Sequence, residues 1–131
     1  MLGPDRIRQI TQAVFDHSKA DQTEVVVFTE EKALTRFANS RIHQNVAERN
    51  VQVRVRAVAG KKAGVAVVND LSDPALKQVA ENALEIALLQ PDNPDFQSLP
   101  APRPVPDVDA FVQATADFTP QQRAKAVATI C

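Results

Sequence analysis

Tryptophan and tyrosine are absent from this sequence, and six phenylalanines are its only aromatic residues. Proteins that grip single-stranded nucleic acid stack bases on exposed aromatic rings, so this composition disfavours a stacking platform. Cysteine occurs once, at Cys131, which excludes an intramolecular disulfide and fits a reducing compartment. The three glycines, Gly3, Gly60 and Gly64, are too few and too scattered for a loop that cradles phosphate. His17 and His43 are the two histidines; they fall in different predicted elements and outside any H-E-x-x-H arrangement. A metal site needs ligands at convergent spacings, so no metal ligand and no catalytic residue is assigned within these residues. Carboxylates are scattered, with no pair set apart for acid–base chemistry. No run of about 18 apolar residues exists to span a membrane. The N-terminal stretch lacks the basic-then-apolar pattern of a secretion signal. These absences lead to the expectation of a cytoplasmic chain with no membrane partner.

What is present suits one compact domain: 131 residues, 44% of them apolar. Net charge is only −1, but its distribution is uneven. Residues 36–62 carry seven basic side chains (Arg36, Arg41, Arg49, Arg54, Arg56, Lys61 and Lys62) against the single acid Glu48, a local +6. The flanking stretches are mildly acidic.

Helical spacing opens the chain. Pro4 suits a first helical turn, and Ile7, Ile10, Thr11 and Val14 share one face. Thr23–Thr29, with Val25, Val26, Val27 and Phe28, reads as a buried strand. Alternating runs at 33–38 and 41–46 flank Asn39–Ser40 and predict a β-hairpin with Phe28 and Phe37 in strand cores. Residues 50–59 place Val51, Val53, Val55 and Ala57 on one face and Gln52, Arg54 and Arg56 on the other. Gly60–Lys61 is a turn, and 63–68 a fifth strand.

Asp73 is placed to cap a second helix with Pro74 at its first position; Leu76, Val79, Ala80, Ala83, Leu84 and Ala87 form its apolar stripe to about residue 90. Six prolines between 91 and 106 then mark an extended linker, pinned by Phe96 and Leu99. Another helix starts at Thr119–Pro120 and runs toward Cys131, which is read as the point where a longer chain was cut. The predicted fold is α/β of the α+β type. It is a two-layer sandwich of a largely antiparallel five-strand sheet with two main helices on one face, plus a proline-rich C-terminal extension. The expected organisation is an α/β domain at 4–90, a linker at 91–118 and a further element from 119.

The segment Arg36-Phe37-Ala38-Asn39-Ser40-Arg41-Ile42-His43-Gln44 resembles the R-F-A-N-N-R-I-H-Q type segment of the TldD/PmbA family. Gly60 to Gly64, Ala66 onward to Asn69-Asp70-Leu71-Ser72, the run Ala80–Ala87, and Pro91-Asp92-Asn93-Pro94-Asp95-Phe96 resemble further family stretches in the same order. The likeness covers roughly residues 20–100. Ser40 departs from the commoner Asn, a weaker turn choice that leaves the assignment intact.

Members of that family are regarded as zinc-dependent peptidases and have long been labelled modulators of DNA gyrase. The resemblance implies the family's N-terminal domain. It places zinc and the H-E-x-x-x-H helix in a C-terminal domain of an active parent; other members lack that motif and act as an inactive partner. It also implies contact with the chain's own C-terminal domain, a same-family subunit and, in the parent, a peptide substrate. Candidate contact residues are Arg36, Arg41, His43, Arg54 and Arg56, with Phe37 and Ile42 as hairpin anchors. Two readings of the hairpin stand: recognition of an extended peptide or partner carboxylates, and a structural role in docking. A different class, a non-catalytic regulatory module near nucleic acid, would use the basic block; the lack of Trp and Tyr, with Phe28 and Phe37 assigned to strand cores, argues against a nucleic-acid partner.

Overall fold

The structure, a computed structural model, describes residues 2–130. Its elements run α1 (Pro4–His17), β1 (Gln22–Ala38), β2 (Arg41–Ala59), β3 (Lys62–Val68), α2 (Asp73–Leu89), α3 (Gln113–Ala116) and α4 (Pro120–Ala128). The sheet has three strands in the order β1-β2-β3.

Three strands replace the five expected. The runs at 23–29 and 33–38 join into β1, and those at 41–46 and 50–59 join into β2. Charged stretches at 30–32 and 48–49 interrupt the apolar alternation but contain no glycine or proline to stop the backbone ladder. The charges pair across it instead: Arg49 Nε lies 3.4 Å from Glu31 Oε1. Side-chain partners Arg56–Glu24, Arg49–Glu31, Asn45–Thr35 and Gln44–Arg36 all follow one antiparallel register. β2 and β3 are also antiparallel, with Val53 opposite Val68, Val55 opposite Ala66 and Ala57 opposite Gly64.

The described residues form two compact units. The first comprises residues up to Glu30 together with Asn50–Ala101. Its core joins Ile10 and Val14 of α1, Val53, Val55 and Ala57 of β2, Ala66 of β3, and Leu76, Val79, Ala80 and Ala83 of α2. Each valine removed from water in this way contributes about 1.5–3 kcal/mol relative to exposure. Helix α2 packs against β3 and α1 against α2. The approach of α2 is close because Gly64 has no side chain. A Cβ there would collide with the backbone of Ala83 and Ala87. Gly60 turns the chain between β2 and β3 at φ +61°, in the left-handed region.

Two details of this unit correct the sequence reading. Ser72, not Asp73, occupies the N-cap of α2; Asp73 is the first helical residue, and its Oδ1 lies 3.0 Å from His17 Nε2. A carboxylate in a first helical turn is favoured by the helix dipole wherever its side chain points. Phe28 is 49% exposed and does not join the strand core. Val25 and Val27 take the core side of β1, so alternation sends Phe28 to the other face.

The proline-rich stretch is tied to the first unit at its beginning. Asn93 N–H donates to Lys61 O, Lys61 Nζ to Pro94 O, and Leu99 N–H to the Gln22 side-chain oxygen.

The second unit comprises Glu31–Arg49 and the chain from Pro102 onward. Asn39 and Ser40 both have positive φ, 50° and 57°, the left-handed region that tight hairpin turns use. Helix α4 begins on a capping box in which Thr119 accepts from Gln122 N–H and the Gln122 side chain accepts from Thr119 N–H. Arg123 of α4 donates through Nε to Thr35 Oγ1 at 3.1 Å, and Thr35 in turn donates to Asn45 at 2.6 Å. The helical turn α3 falls inside the stretch read as linker. Helix α4 stops at Ala128 rather than running toward the chain end, and Cys131 lies outside the described residues.

Candidate functional site

Alternation along β1 and β2 sorts the hairpin end into two faces. One carries Lys32, Leu34 and Arg36 from β1 and Gln44, Val46 and Glu48 from β2. Together these six line a depression of about 120 Å³. The shared register makes Lys32 and Glu48, Leu34 and Val46, and Arg36 and Gln44 successive cross-strand rungs. Arg36 Nη1 points at Gln44 Oε1 at 3.4 Å, a long contact that spends one of five guanidinium donors. Among the described residues, Lys32 and Glu48 form no ion pair. Leu34 and Val46 are half-buried and make the apolar floor.

The opposite face carries Thr35 and Asn45, joined by their hydrogen bond. Period-two alternation puts Phe37 and His43 on this side. Phe37 and Ile42 are each 42% exposed, as free to contact a partner as to anchor the hairpin. For Phe37 this corrects its reading as a core residue. Among the described residues no third strand reaches the hairpin end: β3 pairs with residues 53–59 of β2. Arg41 and His43 are exposed.

Arg54 and Arg56 lie in the first unit, whereas Arg36, Arg41 and His43 lie in the second. Sequence proximity therefore gathers five candidates that the fold distributes over two units. Arg56 Nη2 lies 3.5 Å from Glu24 Oε1, and Arg54 is half-buried beside it on the strand. Arg54 and Arg56 pair in register with Val67 and Val65, which are exposed, as is Phe28. That face is thus mixed apolar and basic, not uniformly polar. The depression at Lys32–Glu48 was missed by sequence reasoning. Its only sequence signal is period-two spacing in two strands, which becomes a site only when the cross-strand register is known.

Zinc does not fit these residues. Among the described residues, no group of three or more His, Cys, Asp and Glu side chains could hold a metal ion. His17 Nε2 lies 3.0 Å from Asp73 Oδ1, and among the described residues His43 forms no ion pair. No described helix is long and apolar enough to cross a membrane.

The profile of PmbA/TldA metallopeptidase domain 1 matches residues 23–87. Among solved structures, TldE from Thermococcus kodakarensis is similar, with 14% identity and a TM-score of 0.76; the match covers 95% of this chain and 28% of that one. A candidate modulator of a DNA gyrase from Thermotoga maritima is similar at 15% identity and a TM-score of 0.67, covering 91% of this chain and 27% of that one. At these identities the structural likeness shows a shared fold alone. The chain spans less than a third of the length of either protein. No curated protein matches it.

Proposed function

We propose a role for this chain from the premise that it belongs to the TldD/PmbA family, whose first domain it carries. It acts as a non-catalytic domain of a longer metallopeptidase-type protein, contributing to domain docking, subunit pairing and access of peptide to a site held elsewhere. The observation that carries this reading is the contrast within one hairpin. Its β2 half at 50–59 is built into a core, while its end at 31–49 keeps Phe37 and Ile42 open to contact. Phe37 and Ile42 flank the turn at 39–40, and turns carried on a rigid scaffold are frequent sites of recognition. Arg36, Arg41 and His43 supply donors for carbonyl and carboxylate groups there, and Arg54 and Arg56 supply them beside Val65 and Val67. In this reading α1 and α2 form one layer over the sheet, supported by the core they share with β2 and β3.

Zinc and the catalytic groups belong to a C-terminal domain of an active parent, or are absent from an inactive partner subunit, in a cytoplasmic protein. The reading frame that follows residue 131 tests this directly: H-E-x-x-x-H is expected downstream, and a complete frame without it removes the metallopeptidase assignment of the parent. The chain itself is expected to show no peptide turnover with zinc added; measurable turnover would place catalytic groups within it.

A second reading, a regulatory module near nucleic acid, draws support from the +6 block at 36–62 and from the name of the Thermotoga maritima protein. It predicts DNA binding that weakens steeply with salt. Absence of binding at low salt ends it.

A further inference from the structure

We propose that the hairpin face formed by Lys32, Leu34, Arg36, Gln44, Val46 and Glu48 binds one carboxylate group of a polypeptide. Charge is the first argument. Two cations and one acid leave the depression a single positive charge, which one carboxylate neutralises. Lys32 and Glu48 share a rung, where opposite charges ordinarily meet. Neither is paired among the described residues, so the ammonium is available to a ligand.

Donor geometry is the second argument. Gln44 turns its carbonyl oxygen toward Arg36, which leaves its amide N–H groups to donate outward. Arg36 keeps four further donors in a planar fork suited to a carboxylate. Lys32 and Arg36 are four residues apart on one strand, about 13 Å between Cα atoms at roughly 3.3 Å per residue. Their long side chains can reach toward one another over Leu34.

Size and polarity narrow the ligand. A depression of about 120 Å³ admits a side chain or a chain end. It is well below the roughly 300–1,000 Å³ of small-molecule and cofactor sites. The half-buried Leu34 and Val46 suit the methylene stem of an acidic residue. The unpaired Glu48 accepts a backbone N–H from the ligand and repels a second negative charge, which disfavours phosphate dianion. This inference rests on the reading of the hairpin as a contact surface and is independent of where zinc is held.

The test is a titration of the full chain, labelled with nitrogen-15, followed by amide shifts. The probes are acetyl-Ala-Glu-Ala-amide, its Gln isostere, acetyl-Ala-Ala with a free C-terminal carboxylate, and inorganic phosphate. Saturable shifts confined to residues 32–36 and 44–48 are expected with a carboxylate probe, with dissociation constants on the order of millimolar because the charges are exposed. Response to the Glu peptide identifies a side-chain carboxylate as ligand, and response to the free acid alone identifies a chain terminus. Lys32→Ala and Arg36→Ala should each weaken binding about tenfold, the cost of a lost charge-assisted hydrogen bond. Both positions are exposed, so the folded spectrum should persist. Equal binding of the Gln isostere, tighter binding of phosphate, or no saturable shift with either carboxylate would overturn the proposal. Such a failure would leave the docking role intact if Phe37→Ala still weakened association with the rest of the parent.

Discussion

The same two strands live under two regimes. In residues 50–59, β2 buries Val53, Val55, Ala57 and Val58, and α1, α2 and Ala66 of β3 supply the rest of the core. In residues 31–49 no residue is buried, although β1 and β2 continue as strands. Every buried residue described belongs to the first unit. The difference shows that strand formation and strand burial have separate causes. The ladder needs only extended backbone with available N–H and C=O groups, whereas burial needs an apolar face and something to cover it. The hairpin end is held by polar devices instead: a two-residue positive-φ turn, the Thr35–Asn45 bond, Arg123 and the Arg49–Glu31 pair.

The sharpest way to break this comparison is Gly64→Val. The side chain would drive into the backbone of Ala83 and Ala87, which cannot yield as a flexible side chain would. A loss of roughly 3 kcal/mol or more is expected, or failure to fold, read from urea unfolding. Gly60→Ala provides the contrast. Open space surrounds that position and the cost is the strained φ alone, about 1 kcal/mol. Equal losses would contradict the close packing of α2 on β3.

Val55→Ala against Phe37→Ala tests the two regimes themselves. The valine is fully buried and should cost about 2 kcal/mol, while removal of the larger phenylalanine should cost less than about 1 kcal/mol. A reversed order would mean that the hairpin end carries core energy. Arg123→Ala should raise amide exchange at residues 33–37 and 43–47 while exchange at 53–57 stays unchanged. Uniform loosening would deny the second unit its own stability. The smallest effect is expected from Ser40→Gly, a gain of about 0.5–1 kcal/mol from relief of a non-glycine residue at φ 57°.

Much of the first unit is legible in the sequence. The stripe Leu76, Val79, Ala80, Ala83, Leu84 and Ala87 announced α2, and all but the half-buried Leu84 are buried. Pro4 and Ile10–Val14 announced α1. Asn39–Ser40 and Gly60 marked the turns where they occur. The TldD/PmbA resemblance carried by 36–44 and the stretches after it agrees with the profile match at 23–87.

Strand length was not legible. Charged residues at 30–32 and 48–49 read as interruptions because the eye follows side chains, while the ladder follows backbone. The exposure of Phe28 was hidden for a related reason. In the unbroken run Val25, Val26, Val27 and Phe28, hydrophobicity cannot say which parity faces the helices. The candidate site divided in the same manner. Arg36, Arg41 and His43 were found from a local segment, but Lys32 and Glu48 gained meaning only as partners across the hairpin.

The sequence by itself determined where α1 and α4 start, where the chain turns and which family the domain belongs to. Those properties depend on neighbours within a few residues, on the fixed φ of proline and on the freedom of glycine. Only the tertiary structure decided how far β1 and β2 run, which of their faces is covered, and that Lys32, Arg36, Gln44 and Glu48 share one small depression. These depend on backbone bonds and cross-strand register between residues far apart in the chain, and no local pattern encodes a register until the partner strand is in place.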